Sequence, residues 1–367
     1  MAMFGVVIVL LGTLFALPEM RARLELTDLV RQGNLQSILL AGVFLSTIVC
    51  GPLIDRFGHK PVLASSGALV TAALVGFAVA RSYDFAVAAG LLLGFGGGGL
   101  NISTNALVSD LYTEERGAKL NQLGLFFGVG GLVMPFLAAA VSARFSIPQI
   151  LGFVAGLAAV CTLLYFVLRF PAAAEGHGFS LRGATRVARY PGVLLFALLL
   201  FFQSGNEACL SGWTSTWASG LGAPPRAATW ILALFLACMM LGRLLAAPIL
   251  GRIGKAQLVL ASAAGAAVGS AIVLLADLKM LVAGVAIIGL SYAGIYPTVL
   301  AMAGDRYQRF SGTVFGLLFS IALLGGIAAP WSLGHLSQAL GVRYGVVVPL
   351  VGAVMICGIM AVIMRRE

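Results

Sequence analysis

The sequence predicts an all-α membrane protein: twelve transmembrane helices in two six-helix bundles. Three observations carry that prediction. Of the 367 residues, 60% are hydrophobic and only 10% are charged, whereas a soluble domain carries about 25% charged residues. Mean hydropathy is +1.03. A spanning helix needs about 20 apolar residues, and that length fits twelve times, near 3–20, 33–54, 61–80, 85–109, 118–141, 147–170, 191–218, 227–250, 256–276, 280–303, 311–337 and 343–364. Finally, Gly94 and Gly289, Asp110 and Asp305, Gly117 and Gly312, Gly130-Gly131 and Gly325-Gly326, and Pro135 and Pro330 all recur at a spacing of 195. One offset shared by five features marks parallel repeats of six helices each.

Segment 1 has no basic region before it and no small-residue cleavage site after it, so it is expected to be a helix and not a signal peptide. Segments 2 and 3 flank Gly51–Lys60, GPLIDRFGHK, with Asp55, Arg56, His59 and Lys60. Such charges cannot lie in hydrocarbon, so a short hairpin is expected there, on the cytoplasmic side. A weaker copy stands at Ala247–Lys255, APILGRIGK, with Gly251 in the place of the aspartate. Segment 4 carries a run of glycines, Gly96–Gly99, then Asn101, Ser103, Thr104 and Asn105, and ends at Asp110. Segment 5 brings Asn121 and Gln122 near its inner end.

The longest polar interval, Pro171–Tyr190, has Arg182, Arg186 and Arg189 against a single acid, Glu175. It reads as a cytoplasmic linker (172–190) joining one bundle (1–171) to a second (191–367). Segment 7 presents Gln203, Asn206, Glu207, Trp213, Thr214 and Trp217 at steps that put them on one helical face. Segment 8 holds Arg243. Segment 10 holds Tyr292, Tyr296, Pro297 and Thr298, where the proline interrupts the hydrogen-bond ladder, and it closes with Asp305. With both termini inside, fourteen Lys and Arg fall in cytoplasmic loops and ends against eight outside. That asymmetry favours a multi-pass protein of the cytoplasmic (inner) membrane with both termini in the cytoplasm.

The net charge of +10 is scattered among short loops with no basic stripe, which argues against a nucleic-acid partner. The five cysteines lie in or at the ends of apolar segments with no C-x-x-C spacing, so packing outweighs metal binding. No nucleophile-plus-base or metal-ligand set stands out, and no G-K-[ST] follows the glycine run. Neither an enzyme nor a cofactor is expected.

Polar side chains at mid-membrane depth are costly and mark function. The candidate substrate-binding residues are therefore Asn101, Asn105, Asn121, Gln203, Asn206, Glu207, Trp213, Tyr292 and Tyr296. Amides and a carboxyl suit sugar hydroxyls, and an indole face suits the C–H side of a pyranose. Trp217, near the outer end of its segment, fits an interfacial belt equally well. Glu207 is the candidate proton carrier. Asp55, Arg56, Asp110, Arg243 and Asp305 are the candidate gate, as charge pairs that close the inner end.

The loop G-x-x-x-D-R-x-G-x-K resembles the signature between helices 2 and 3 of the major facilitator superfamily. Within it, QSGNE…GW (Gln203–Glu207 and Trp213), IYPT (Ile295–Thr298) and KLNQLGLFFGVGG (Lys119–Gly131) resemble the fucose permease-like branch of hexose:proton symporters. The resemblance implies alternating access and a sugar pathway lined by segments 1, 4, 5, 7, 8, 10 and 11. Two positions depart from the branch. Asn101 stands where proton-linked members carry an acid on helix 4, and Leu14 or its neighbours stand where they carry one on helix 1, with Glu19 only at the outer end. Glu207 is then the one mid-membrane carboxylate, so proton coupling and facilitated diffusion both stay open. The helix 4 arginine of proton-coupled drug exporters is also missing. The expected function is secondary transport of a monosaccharide by a monomer in membrane lipid, with protons as the candidate second partner. The alternatives are an exporter or flippase of an amphiphilic small molecule or lysolipid, and a sugar uniporter.

Overall fold

The computed structural model describes the chain except Thr27, 113–114, 142–143, 171–189, 251–252, 276, 308–310 and Glu367, and except the side chains of 116–118, Asn121, 247–250, 311–313 and Arg366. The linker and most of the Ala247–Lys255 copy thus lie outside the described residues. Contacts divide the chain into two compact units, Met1–Gly178 with Pro225–Trp230, and Phe179–Pro224 with Ile231–Glu367. Among the described residues there is no strand, and eleven spans are long and apolar enough to cross a membrane.

Unit 1 contains α1 (Ala2–Phe15), α2 (Pro18–Arg23), α3 (Leu29–Phe57), α4 (His59–Val79), α5 (Tyr83–Leu111), α6 (Arg116–Val141) and α7 (Ile147–Val167). Helix α5 is its centre: α1, α3 and α4 pack on it, while α4 also meets α7 and α1 meets α6. In the second half of the chain come α8 (Pro191–Gly220), α9 (Pro225–Leu250), α10 (Lys255–Leu275), α11 (Leu278–Tyr292), α12 (Ile295–Arg306), α13 (Ser311–Leu340), a 3-10 turn (Val342–Val346) and α14 (Val347–Arg366). Within unit 2, α8 packs on α13 and α14, and α10 packs on α11, α12 and α14.

Two local expectations are corrected. Segment 1 is not one helix over 3–20: α1 stops at Phe15, and Leu17 is extended (φ −102°, ψ 111°) before Pro18 opens α2. The proline ring excludes the helical conformation at the residue before it. At 1.5 Å per residue, the 14 residues of α1 reach only about 21 Å, short of the roughly 30 Å hydrocarbon layer. The hairpin at Gly51–Lys60 is also tighter than expected. Helix α3 runs through Asp55 and Arg56 to Phe57, α4 begins at His59, and Gly58 alone joins them with φ 81° and ψ 176°. That conformation is open essentially only to glycine.

The repeat seen in sequence is a repeat of helix crossings. Gly94 of α5 abuts the Leu39 backbone carbonyl of α3, and Gly289 of α11 abuts the Phe235 carbonyl of α9. Gly130 of α6 abuts the Ala2 carbonyl of α1, and Gly325 of α13 abuts the Phe201 carbonyl of α8. At all four places an added methyl would strike backbone, which has nowhere to go.

Polar groups then tie helix ends together. His59 Nε2, at the start of α4, lies 2.8 Å from Asp110 Oδ2 at the end of α5. Lys255, at the start of α10, pairs in the same way with Asp305 at the end of α12. Next to His59, Lys60 Nζ donates to the Phe166 and Leu168 carbonyls at the end of α7 (2.8 and 3.2 Å), where a cation satisfies carbonyls left without helical donors. Arg23 does the same for Ala78 and Ala80 at the end of α4 (2.7 and 2.8 Å).

Two outcomes follow for stability, both measurable by thermal or denaturant unfolding in detergent. Gly58→Ala should destabilise by about 1–3 kcal/mol, the cost of a strained backbone conformation. Gly51→Ala should be neutral or slightly stabilising, because nothing lies within 4 Å of its added methyl and alanine favours a helix interior. The two ion pairs should differ as well. His59 has no side-chain exposure, but Lys255 and Asp305 are 36% and 66% exposed. Asp110→Ala should therefore cost about 1–3 kcal/mol by stranding a buried ring nitrogen, and Asp305→Ala at most about 1 kcal/mol. Equal losses would place the two pairs in equivalent surroundings.

Candidate functional site

Glu207 is the hub of the polar groups in unit 2. It sits on α8, one turn after Gln203, the i,i+4 spacing at which side chains meet. Gln203 Nε2 donates to Glu207 Oε1 at 2.9 Å, and the same nitrogen lies 3.4 Å from the Tyr292 carbonyl. Arg243 of α9 and the Tyr292 and Tyr296 phenols lie within electrostatic range of the carboxyl. Gln203 is fully buried and Glu207 half-buried. A carboxylate in a membrane-spanning helix must be neutralised or compensated; the Gln203 amide bonds it directly, and Arg243 is the cation within electrostatic range.

The second half of the site comes from a broken helix. The ladder stops between Tyr292 and Ile295, while Ala293 and Gly294 keep right-handed helical angles. Pro297 has no N–H to give to the Ala293 carbonyl four residues earlier, which accounts for the interruption. Tyr292 ends α11 fully buried, and Tyr296 opens α12 half-buried. The Tyr296 ring lies nearly parallel to Phe319 of α13, with centroids 6.4 Å apart and planes 14° apart, and Phe315 stands beside Phe319 at 6.4 Å.

Other residues expected at the site are placed elsewhere. Asn206 turns to α14, where its carboxamide fills the space above Gly352; it is one position from Glu207, hence about 100° around the helix. Trp213 and Trp217 are 0% and 2% exposed, and neither indole N–H meets an acceptor among the described residues. With no open face, Trp213 offers no surface for a ring to stack on, and Trp217 is not an exposed interfacial residue. In unit 1, Asn105 Nδ2 donates to Asn101 Oδ1 at 2.9 Å and to the Asn101 carbonyl at 2.8 Å. The two amides thus form one half-buried pair on α5. The Asn121 side chain lies outside the described residues.

The expected gate residues are also regrouped. Asp110 and Asp305 pair with His59 and Lys255, neither of which was expected there, and Arg243 joins the Glu207 cluster. Asp55 and Arg56 are exposed at the end of α3. The signal for the missed partners was present: His59 and Lys255 stand 196 apart, one step from the offset of the two aspartates. Phe319 had no such signal, being one of 22 phenylalanines. Among the described residues no group of His, Cys, Asp and Glu could hold a metal ion.

Comparison with known proteins agrees with this architecture. The organic anion transporter 3 of Homo sapiens is 35% identical over 120 residues, 31% of this chain and 22% of that protein. The pig (Sus scrofa) counterpart is 35% identical over 107 residues, 29% of this chain and 20% of its own length. The match thus spans about a fifth of these relatives. The uncharacterized MFS-type transporter YfkL of Bacillus subtilis aligns more widely, at 22% identity over 83% of this chain and 79% of its own. A crystal structure of the nucleoside transporter NupG superposes with a TM-score of 0.79 at 15% identity, covering 99% of this chain and 98% of that one. An inward-facing, unoccupied bacterial homolog of the human lysosomal transporter Spinster gives 0.77 at 14%, covering 99% and 96%. At such identities the likeness is one of fold. The profile of the Major Facilitator Superfamily matches residues 1–217 and 196–367, and the chain belongs to that family of transporters.

Proposed function

We propose that this transporter carries a monosaccharide across the cytoplasmic membrane by alternating access, with Glu207 as the group that takes up and releases the coupling proton. The observation that carries the reading is the surroundings of that carboxyl: an amide at 2.9 Å, with Arg243 and two tyrosines within electrostatic range. Hydroxyl-rich solutes are bound by such mixed donors and acceptors. When Glu207 is ionised, Arg243 compensates it; when it is protonated, the carboxyl becomes a donor to a sugar oxygen. In unit 1, the Asn101–Asn105 pair keeps one amide nitrogen and one amide oxygen that suit sugar hydroxyls. The His59–Asp110 and Lys255–Asp305 pairs serve as latches at the ends expected to face the cytoplasm, where the terminal charges also lie. The protein acts as a monomer and needs no cofactor.

A thermal-shift series with hexoses, pentoses, nucleosides and lysolipids tests the substrate class, because only a ligand of the folded state raises its stability. Hexoses, with L-fucose, D-galactose and D-glucose among them, should give the largest shift. A shift with lysolipid or nucleoside alone would overturn the sugar assignment. Gln203→Ala and Asn101→Ala should each weaken hexose binding roughly tenfold or more, since a lost buried hydrogen bond costs about 1–3 kcal/mol.

Coupling has its own test in proteoliposomes. Glu207→Gln keeps the size and most of the hydrogen bonding, so it should abolish accumulation against a gradient yet permit exchange. Uptake by the wild type that is independent of pH, with no proton flux, would leave a uniporter. Loss of binding itself in Glu207→Gln would make the carboxyl a sugar ligand before anything else.

A further inference from the structure

We infer that Arg243 is the seat of a carboxylate, and that the monosaccharide carried is a sugar acid, a uronate with one negative charge. The inference rests on the proposed role of Glu207 and names the substrate class of that same site. Within α8 to α14, every Asp, Glu, Lys and Arg other than Glu207 and Arg243 stands in the first two or last two residues of its helix. Packing brings these two interior charges towards one place. Gly242, next to Arg243 in α9, is so close to α11 that an added Cβ would lie 2.6 Å from the Leu290 carbonyl and 2.7 Å from the Ala293 side chain. Ala246, one turn on, lies 3.5 Å from where a Cβ on Gly294 would be. The same break between α11 and α12 offers the Tyr292 carbonyl to Gln203, whose amide holds Glu207 at 2.9 Å. Arg243 is thus within electrostatic range of the carboxyl. Yet among the described residues its guanidinium has neither a hydrogen bond nor an ion pair. Both residues are half-buried, so each keeps a part open to a solute.

A guanidinium without a partner is costly in a membrane-spanning helix, and its planar fork matches a carboxylate in two parallel hydrogen bonds. The charge balance then selects the ligand. With Glu207 ionised and the site empty, the two interior charges sum to zero. A proton on Glu207 leaves Arg243 uncompensated, and one bound carboxylate restores the zero. Proton or anion by itself would leave a net charge in the site, so each favours the binding of the other. A neutral hexose with a proton leaves one positive charge behind. A sugar phosphate, with a charge of about −1.5 to −2, overshoots. A uronate matches the balance, and protonated Glu207 still donates to one of its hydroxyls.

The test is calorimetric binding to the purified full-length protein at about pH 7, where sugar acids are ionised. It compares D-galacturonate with D-galactose and D-glucuronate with D-glucose. The wild type should bind each uronate roughly tenfold or more tightly than its parent hexose, the scale of a hydrogen bond to a charged group. Arg243→Gln should cost the uronate roughly tenfold more affinity than it costs the hexose. Arg243→Lys keeps the charge without the fork and should retain part of the preference. Glu207→Gln fixes that side chain in an uncharged form and should retain the preference in full. The wild-type comparison decides even where a variant does not fold. A wild type that binds the hexose as tightly as the uronate, or a preference that persists in Arg243→Gln, would overturn the inference and leave the sugar reading standing. If neither hexose nor uronate bound the wild type, the sugar reading itself would fall and the inference with it.

Discussion

Contact between bare backbone and bare backbone is the constraint on which this structure depends. In lipid no hydrophobic effect draws helices together, so association relies on close van der Waals approach. The chain achieves that at Gly94 on the Leu39 carbonyl, Gly130 on the Ala2 carbonyl, and again at Gly289 and Gly325 in the other repeat. These crossings set the depth and angle of the helices that carry polar groups. Gly325 fixes α13 against α8 at Phe201, just before Gln203. Any shift there would carry Phe319 away from Tyr296 and the Glu207 cluster together.

Such crossings explain why the repeat was legible in the sequence. A glycine that touches backbone cannot be exchanged for a larger residue, so the 195-residue spacing survives as a pattern. The paired aspartates at the helix ends and the Gln203–Glu207 step were readable for similar reasons, since position along a helix determines both. What periodicity does not contain is the identity of the neighbour. Steps of three and four residues group Asn206 and Trp213 with Gln203 and Glu207 on one broad helical arc, yet Asn206 meets Gly352 and Trp213 is closed in on all sides. Phe319 is the converse case. Its sequence surroundings are mostly apolar, and only the structure sets its ring against Tyr296 of another helix. Segment 1 was misjudged because hydrophobicity ran on through Leu17 while Pro18 had already ended the helix.

The polar groups of unit 2 show how few charges the site contains. One carboxyl has one guanidinium within electrostatic range, and the rest are neutral amides and phenols. With so little fixed charge, a neutral solute meets no strong field, and the protonation state of one side chain sets the character of the site.

Three consecutive residues, Gly58, His59 and Lys60, have a mechanical consequence. The first joins α3 to α4 with no slack, the second fastens the end of α5, and the third fastens the end of α7. Four helix ends are thereby riveted at one point, and none can splay without pulling on the others. Bending in unit 1 must then be borne at the opposite ends of these helices or in α1, α2 and α6, which the rivet does not hold. Force applied anywhere near the rivet therefore reaches all four riveted helices of unit 1 at once.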